Sequence, residues 1–153
     1  RARLPVVGEA ARDRPAWSGP PGAFVVGVDP GRRVGVAWVS SSGELLQAAV
    51  VDRETLTRLA PPPGTVVAVG DGTGSSDAVA ALGACGVPVV RVDERGSSEE
   101  GRRWYWRLRP ARGWRRWVPT GMRPPPAELD AFAAYAIALR WLAARDTSAP
   151  RDR

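Results

Sequence analysis

Short apolar stretches alternate along the chain with polar segments rich in glycine and proline, a pattern typical of α/β domains. Valine-rich runs bounded by turn-forming residues predict strands, and longer alanine- and leucine-rich segments predict helices. The predicted strands are residues 23–29, 34–40, 45–51, 65–70 and 88–93. The predicted helices are residues 52–60, 75–86, 97–108 and 127–145.

The lengths of the connections indicate how these strands pair. Residues 41–43, Ser-Ser-Gly, allow only a tight turn, so the second and third strands must be antiparallel, because a parallel crossover needs about a dozen residues. Helices separate the later strands, as in a parallel sheet. The sequence therefore predicts an α/β fold with a mixed five-stranded sheet, three antiparallel strands and then parallel strands, and helices on both faces.

Local signals are expected to define the helix ends. Ser75 or Ser76 is expected to cap the second helix, which Gly86 would close. Ser97 and Glu100 have the spacing of a capping box for the third helix.

The same pattern predicts one domain, residues 23–145, between two flexible tails, residues 1–22 and 146–153. The first tail is rich in arginine, proline and glycine and lacks the apolar segment of a signal peptide. The longest apolar run, residues 131–139, is far shorter than the ~18 residues of a membrane span. We therefore expect a cytoplasmic protein that does not contact membranes.

The amino-acid composition limits the kinds of catalytic and metal sites that the chain can form. The chain has 153 residues, no histidine, one cysteine and a net charge of +6, and all 22 basic residues are arginine. A Ser-His-Asp triad and histidine-ligated zinc are excluded, and Cys85, which we expect to be buried as a small apolar residue, cannot form an intrachain disulfide. Carboxylates remain, and they are the oxygen ligands that suit Mg²⁺ or Mn²⁺.

Acids lie where the predicted parallel strands end. Asp29 ends the first strand, Asp71 follows the fourth, Asp93 and Glu94 end the fifth, and Asp130 opens the last helix. If the first, fourth and fifth strands are adjacent and parallel, these acids share one edge of the sheet. Clustered carboxylates repel unless a cation neutralises them, and two divalent ions held there would clamp a phosphodiester during hydrolysis.

Three segments, GVDPGRRVGVAWV, VDERGSSEE and ELDAFAAYAIAL, resemble the YqgF / RuvC-like branch of the ribonuclease H-like superfamily. The order of strands and helices agrees as well, and the resemblance covers residues 23–144. Serines in VDERGSSEE stand where threonines are usual, and the GDGTGS segment around Asp71 departs from the usual YqgF pattern.

This resemblance implies a ribonuclease H-like fold and a metal-dependent nuclease site. Asp29, Glu94 and Asp130 take the three acidic positions, as catalytic residues that hold Mg²⁺ or Mn²⁺. Asp71 is added as a fourth catalytic and metal-binding candidate, because other members of the superfamily carry an acid at the end of the fourth strand. The family's associated activities are cleavage of Holliday-junction-like DNA and maturation of the 5′ end of precursor 16S ribosomal RNA.

Residues 101–123 combine arginines with tryptophans, and no acid occurs between Glu100 and Glu128. Arginine neutralises phosphates and aromatic rings stack on unpaired bases. The candidate nucleic-acid-binding residues are Arg32, Arg33, Arg102, Arg103, Trp106, Arg107, Arg112, Trp114, Arg115 and Arg116. The alternative is that tryptophans pack this helix onto the sheet and arginines are solvated; the two arginines after Asp29 could also only solvate the hairpin.

Each acid also has a structural alternative: a turn at Asp29, a backbone-binding loop at Asp71, a surface ion pair of Glu94 with Arg95, and a helix-dipole effect at Asp130. Asp93 could pair with Arg95 or cap the following helix. Three functions follow. The leading one is an endonuclease acting on structured RNA or branched DNA, which as a homodimer would suit a two-fold junction. The second is a non-catalytic nucleic-acid-binding domain. The third is an actin-like or sugar-kinase-type ATPase, whose phosphate loop GDGTGS resembles, although such enzymes need two domains of this kind.

Overall fold

The computed structural model describes residues 17–110, 112–119 and 128–148. The strands are β1 (Val25–Pro30), β2 (Val34–Val39), β3 (Leu45–Val51), β4 (Val66–Gly70) and β5 (Val89–Val92). The helices are α1 (Arg53–Leu56), α2 (Ser75–Gly83), α3 (Ser97–Leu108) and α4 (Leu129–Ser148), and a 3-10 helix, Gly113–Trp117, follows α3.

The five strands form one mixed sheet in the order β3-β2-β1-β4-β5. β2 pairs antiparallel with both β1 and β3, whereas β4 pairs parallel with both β1 and β5. This arrangement confirms the predicted ribonuclease H-like α/β fold. It also places the carboxyl ends of the three parallel strands, β1, β4 and β5, next to one another at one edge of the sheet.

Alternation along β1 divides the core between the two faces of the sheet. Val25 packs with α4 in one cluster, and Val26 and Val28 pack with α1 and α2 in the other. Gly27 lies against the backbone of α4, in step with Val25. Because side chains alternate, Asp29 follows Val25 and Gly27 onto the face that α4 covers.

Helix α4 lies unusually close to the sheet because two glycines face it. A Cβ atom at Gly27 would collide with the carbonyl of Ala134, and one at Gly35 would collide with the carbonyl of Asp130. On the other side of α4, Gly101 of α3 also faces the helix backbone, and a Cβ atom there would lie 2.5 Å from the backbone nitrogen of Ala133. The first turns of α4 are therefore fixed between β1, β2 and α3, which explains why this helix is apolar on nearly all sides.

The predicted helix starts at Ser75 and Ser97 are correct, but the predicted caps are wrong. The N-cap residues are Gly74 and Gly96, which adopt left-handed backbone conformations with φ of +85° and +75° and make no side-chain capping hydrogen bond. Each serine is instead the first helical residue and is buried. The capping box with Glu100 does not form, because that carboxylate binds an arginine of α4.

Cys85 is exposed, so the prediction that it is buried is wrong. Helix α2 ends at Gly83, before the predicted end at Gly86, and the turn that follows carries the cysteine out of the core. The thiol donates a hydrogen bond to the carbonyl oxygen of Thr57, 2.9 Å away. The cysteine therefore links the end of α2 to the end of α1.

Trp17, inside the predicted N-terminal tail, pairs with Leu59 and contacts the ring of Trp38 edge-on, with 5.5 Å between ring centroids. Residues 1–16 and 149–153 lie outside the described residues, and the predicted domain limits stay a prediction. Within the described ranges, no helix has both the length and the apolar character that crossing a membrane requires.

Candidate active site

Asp29 lies at the carboxyl end of β1, on the face of the sheet that α4 covers. It is partly buried and stands opposite Gly35 of β2 in the antiparallel register. Pro30 ends the strand directly after it. The valine run before Asp29 fixes the backbone in the centre of the sheet, and the carboxylate is consequently held at the sheet edge by rigid structure.

Glycines on the two neighbouring strands make room for two further acids. Gly35 of β2 lies under the backbone of Asp130, the second residue of α4. Gly70, the last residue of β4, lies under Glu94, whose Oε2 is 2.6 Å from where a Cβ atom of residue 70 would stand. A larger side chain at position 35 or position 70 would therefore displace the acid that lies above it.

Gly72 extends this space beyond the end of β4. A Cβ atom there would overlap the carboxyl group of Glu94, which therefore packs directly against the Gly-Asp-Gly turn. The sequence had suggested a phosphate-binding loop or a metal ligand in GDGTGS. In the structure its first two glycines create the space that Glu94 occupies.

The electrostatics place two of the predicted acids, Asp130 and Glu94, within reach of Asp29. Burial, together with the negative charges of Asp130 and Glu94, raises the pKa of Asp29 to about 7, and burial is the largest of these causes. Burial also raises the pKa of Asp130, while the guanidinium of Arg33 opposes that change. The structure thus brings Asp29, Glu94, Asp130 and Arg33 into one electrostatic neighbourhood.

Asp71 and Asp93 lie at the same edge but bind backbone groups. The Asp71 carboxylate accepts a hydrogen bond of 3.2 Å from the backbone N–H of Glu94, and the Asp71 N–H donates to the Val92 carbonyl. The Asp93 carboxylate accepts from the backbone N–H of Arg95, at 2.9 Å. The contact of Asp71 matches its structural alternative, whereas Asp93 binds the backbone of Arg95 and not its guanidinium.

The carboxylate oxygens of these acids are suitable donors for a divalent metal, but their arrangement in the structure does not form a metal site. Carboxylate oxygens are the donors that Mg²⁺ and Mn²⁺ prefer. Across the described ranges, however, no group of three acidic or cysteine side chains is arranged to hold a metal ion.

Arg140 of α4 fixes the loop that carries Glu94, a role that the sequence did not reveal. Its Nη1 donates to the carbonyl oxygen of Asp93 at 2.7 Å, and its Nε and Nη2 donate to Oε2 of Glu100 at 3.1 and 2.9 Å. These partners are 47 and 40 residues away along the chain. No local pattern could have indicated this contact.

Part of the arginine- and tryptophan-rich segment packs α3 onto α4. Trp104 contacts Tyr135 and Tyr105 contacts Phe132, each edge-on with centroids 5.2 Å apart. Arg109, at the end of α3, forms an ion pair of 2.9 Å with Glu128. For these residues the packing alternative applies.

The nucleic-acid-binding candidates divide by exposure. The exposed ones are Arg32, Arg33, Arg103, Arg107, Arg112 and Arg116. Arg102 and Trp106 are partly buried, and the Trp106 ring lies 5.0 Å from that of Tyr105. The guanidinium of Arg107 lies 5.0 Å from the Trp104 ring centroid, on the outer side of the α3–α4 contact. The side chains of Trp114 and Arg115 are outside the described part of the structure.

Comparisons with known proteins give a likeness to solved structures only. No protein-family model matches the chain, and no curated protein does. A Thermus thermophilus RuvC structure is 21% identical and aligns over 81% of this chain and 96% of its own, with a TM-score of 0.45. T. thermophilus RuvC in complex with a Holliday junction substrate is 20% identical over 82% of this chain and 97% of its own, with a TM-score of 0.42. The fold assignment rests on the strand order and pairing described above.

Proposed function

We propose that this chain is a Mg²⁺- or Mn²⁺-dependent endonuclease that hydrolyses phosphodiester bonds in structured RNA or branched DNA. The observation that supports the proposal is the position of Asp29 at the carboxyl edge of three adjacent parallel strands, where the charges of both Glu94 and Asp130 raise its pKa. Ligand sites in open α/β sheets form at this edge.

The arrangement is costly for the protein, which supports a functional role. Asp29 is partly buried and has two acids nearby that oppose its ionisation. A turn-forming aspartate would need neither the burial nor the two acidic neighbours. Strongly shifted pKa values of this origin are concentrated at functional sites.

The three acids would hold the metal, which would supply an activated water and offset the negative charge that develops on the phosphate. Asp71 we assign to positioning, since it holds the backbone of Glu94. Arg33, which is exposed and close to Asp130, would bind a phosphate of the substrate beside the acids. The net charge of +6 and the exposed arginines around α3 supply attraction for a polyanion.

A cleavage assay with a charge-matched control tests the proposal. The 153-residue chain with Mn²⁺ is incubated with a four-way DNA junction and with a precursor-rRNA 5′ leader. We expect cleavage of at least one substrate and a loss of about 100-fold or more in D29N, as expected for removal of a metal ligand. D77N removes an equal charge from α2, where Asp77 pairs with Arg53, and should cleave normally.

Two outcomes would contradict the proposal. Wild-type rates in D29N would show that the acids are not the catalytic site. Salt-sensitive binding of both substrates without cleavage of either would instead identify a non-catalytic nucleic-acid-binding domain.

A further inference from the structure

One tryptophan of the 3-10 helix differs from the aromatic residues of α3. Trp117 is 77% exposed, whereas Trp104 and Tyr105 pack against the core. Among the described residues, the other exposed large apolar side chains, Val90 and Leu108, are exposed only to 40% and 44%. An exposed indole ring forgoes the favourable free energy of burying apolar surface, and exposure of this kind is typical of a binding site.

Arginine accompanies the exposed ring. The guanidinium of Arg116 lies 5.1 Å from the centroid of the Trp117 ring, within the range of a cation–π contact. The pair offers a flat aromatic surface for a base and a positive charge for a phosphate. This combination is how proteins bind single strands without reading their sequence.

A short stretch of chain connects the pair to the end of α3. Arg109, at the end of α3, is tied to Glu128, which precedes Asp130 by two positions. From Arg109 to Trp117 the chain can span at most about 22 Å, given an extended connection followed by 3-10 geometry. A strand of nucleic acid covers that distance with about six nucleotides at 3.4 Å each.

We propose that Trp117 and Arg116 form a stacking site for an unpaired base, on a strand that passes to the acidic edge. The inference rests on the proposed function, because both assume that the ligand is nucleic acid. It specifies the substrate class further: the preferred substrate has unpaired bases on the strand that is cut, and a continuous duplex lacks the group that this site recognises.

Binding measured without cleavage tests this proposal. Fluorescence anisotropy in EDTA compares two oligonucleotide duplexes of equal length, one fully paired and one with a short unpaired gap. We expect W117A to weaken binding of the gapped probe by about tenfold and binding of the paired probe by less than about twofold. W117F should retain most of the affinity for the gapped probe, because its ring still stacks.

Two further variants separate stacking from charge and from general surface effects. R116Q should lower the slope of log K against log salt by about one, the loss of one phosphate contact. V90A removes an exposed apolar side chain from β5 and should change neither affinity. Circular dichroism and thermal unfolding check that each variant is folded.

The outcomes distinguish this inference from the proposed nuclease. Equal weakening of both probes by W117A, or no weakening of either, would overturn the stacking site even if D29N-dependent cleavage is observed. Selective weakening of the gapped probe would support it even if no cleavage is found and the nuclease proposal fails.

Discussion

The carboxyl group of Asp29 is destabilised in its charged form by the environment that the fold builds around it. Its pKa is about 7 in the folded chain and 3.8 without these influences. A raised carboxyl pKa means that the folded state holds a proton that the unfolded state releases. The stability associated with this proton is therefore fully present below pH ~4 and is lost as the pH rises to about 7.

We accordingly predict that the metal-free protein becomes less stable as the pH rises from about 5 to about 7, within this window, with Asp29 contributing about 2 kcal/mol of the loss. D29N, which cannot ionise, should unfold at higher urea concentrations than the wild type at the upper pH and should show a flatter pH profile. Urea unfolding in EDTA measures both. Identical pH profiles for the two proteins would mean that Asp29 ionises freely.

Gly72 is the residue whose substitution should affect Glu94 most directly. In G72A the new methyl group would overlap the Glu94 carboxyl group, and the nearest atoms all belong to that flexible side chain. We expect Glu94 to move, so that cleavage falls by about tenfold or more while the free energy of unfolding changes by less than about 1 kcal/mol. Metal-dependent cleavage rates and urea unfolding measure the two effects.

Gly83 provides the matched control for that substitution. It ends α2, and a Cβ atom there would meet nothing within 4 Å. G83A should keep full activity and gain up to about 1 kcal/mol from improved helix propensity. Equal activity in G72A and G83A would show that the position of Glu94 does not matter for the reaction.

At the scale of secondary-structure elements, Arg140 joins α4, α3 and the β5–α3 loop. R140Q removes the contacts with the Asp93 carbonyl and Glu100, and we expect it to cost about 1–2 kcal/mol. E100Q should cost less, because Arg140 retains its hydrogen bond to Asp93. A double-mutant cycle by urea unfolding gives the coupling between the two side chains, which we expect to be about 0.5–1 kcal/mol.

The control for this prediction is the ion pair between Arg53 and Asp77, whose side chains are more than half exposed. R53Q should change stability by less than about 0.5 kcal/mol, as is usual for surface pairs. If R140Q and R53Q are equally mild, Arg140 does not stabilise the junction of the three elements.

The elements themselves could be predicted from the sequence because their signals are local. Valine runs and a three-residue connection were sufficient for the strands and for the antiparallel pairing of β2 with β3. The cap predictions at Ser75 and Ser97 were wrong because the preceding glycines, in left-handed conformations, occupy the N-cap positions and each serine is the first helical residue. Glu100 binds Arg140 across 40 residues, and such a contact leaves no trace in a local pattern.

At the scale of the whole molecule, the strand order brings acids that are far apart in the sequence to one edge of the sheet. The position of Asp29, Asp71, Glu94 and Asp130 at one edge followed from predicting that the first, fourth and fifth strands are adjacent and parallel. The different contacts that each of these acids makes could not be predicted from the sequence. Asp71 binds a backbone N–H, and Glu94 fits only because of Gly70 and Gly72, which depends on atomic contacts between loops.

The molecule as a whole is basic, yet its proposed reaction centre is acidic, and this contrast leads to a prediction about affinity. Without metal at about pH 8, Asp29 is largely ionised and repels a phosphate placed at the sheet edge, so D29N should bind a four-way junction several-fold more tightly than the wild type. The difference should shrink at about pH 6, where Asp29 is largely protonated, and on addition of Mg²⁺, which would neutralise the acids. D77N raises the net charge by the same amount but on α2, and anisotropy titrations of the three proteins in EDTA therefore separate a local effect from a global one. If D77N tightens binding as much as D29N does, the gain comes from net charge alone, and the phosphate does not approach the acids at the carboxyl edge of the sheet.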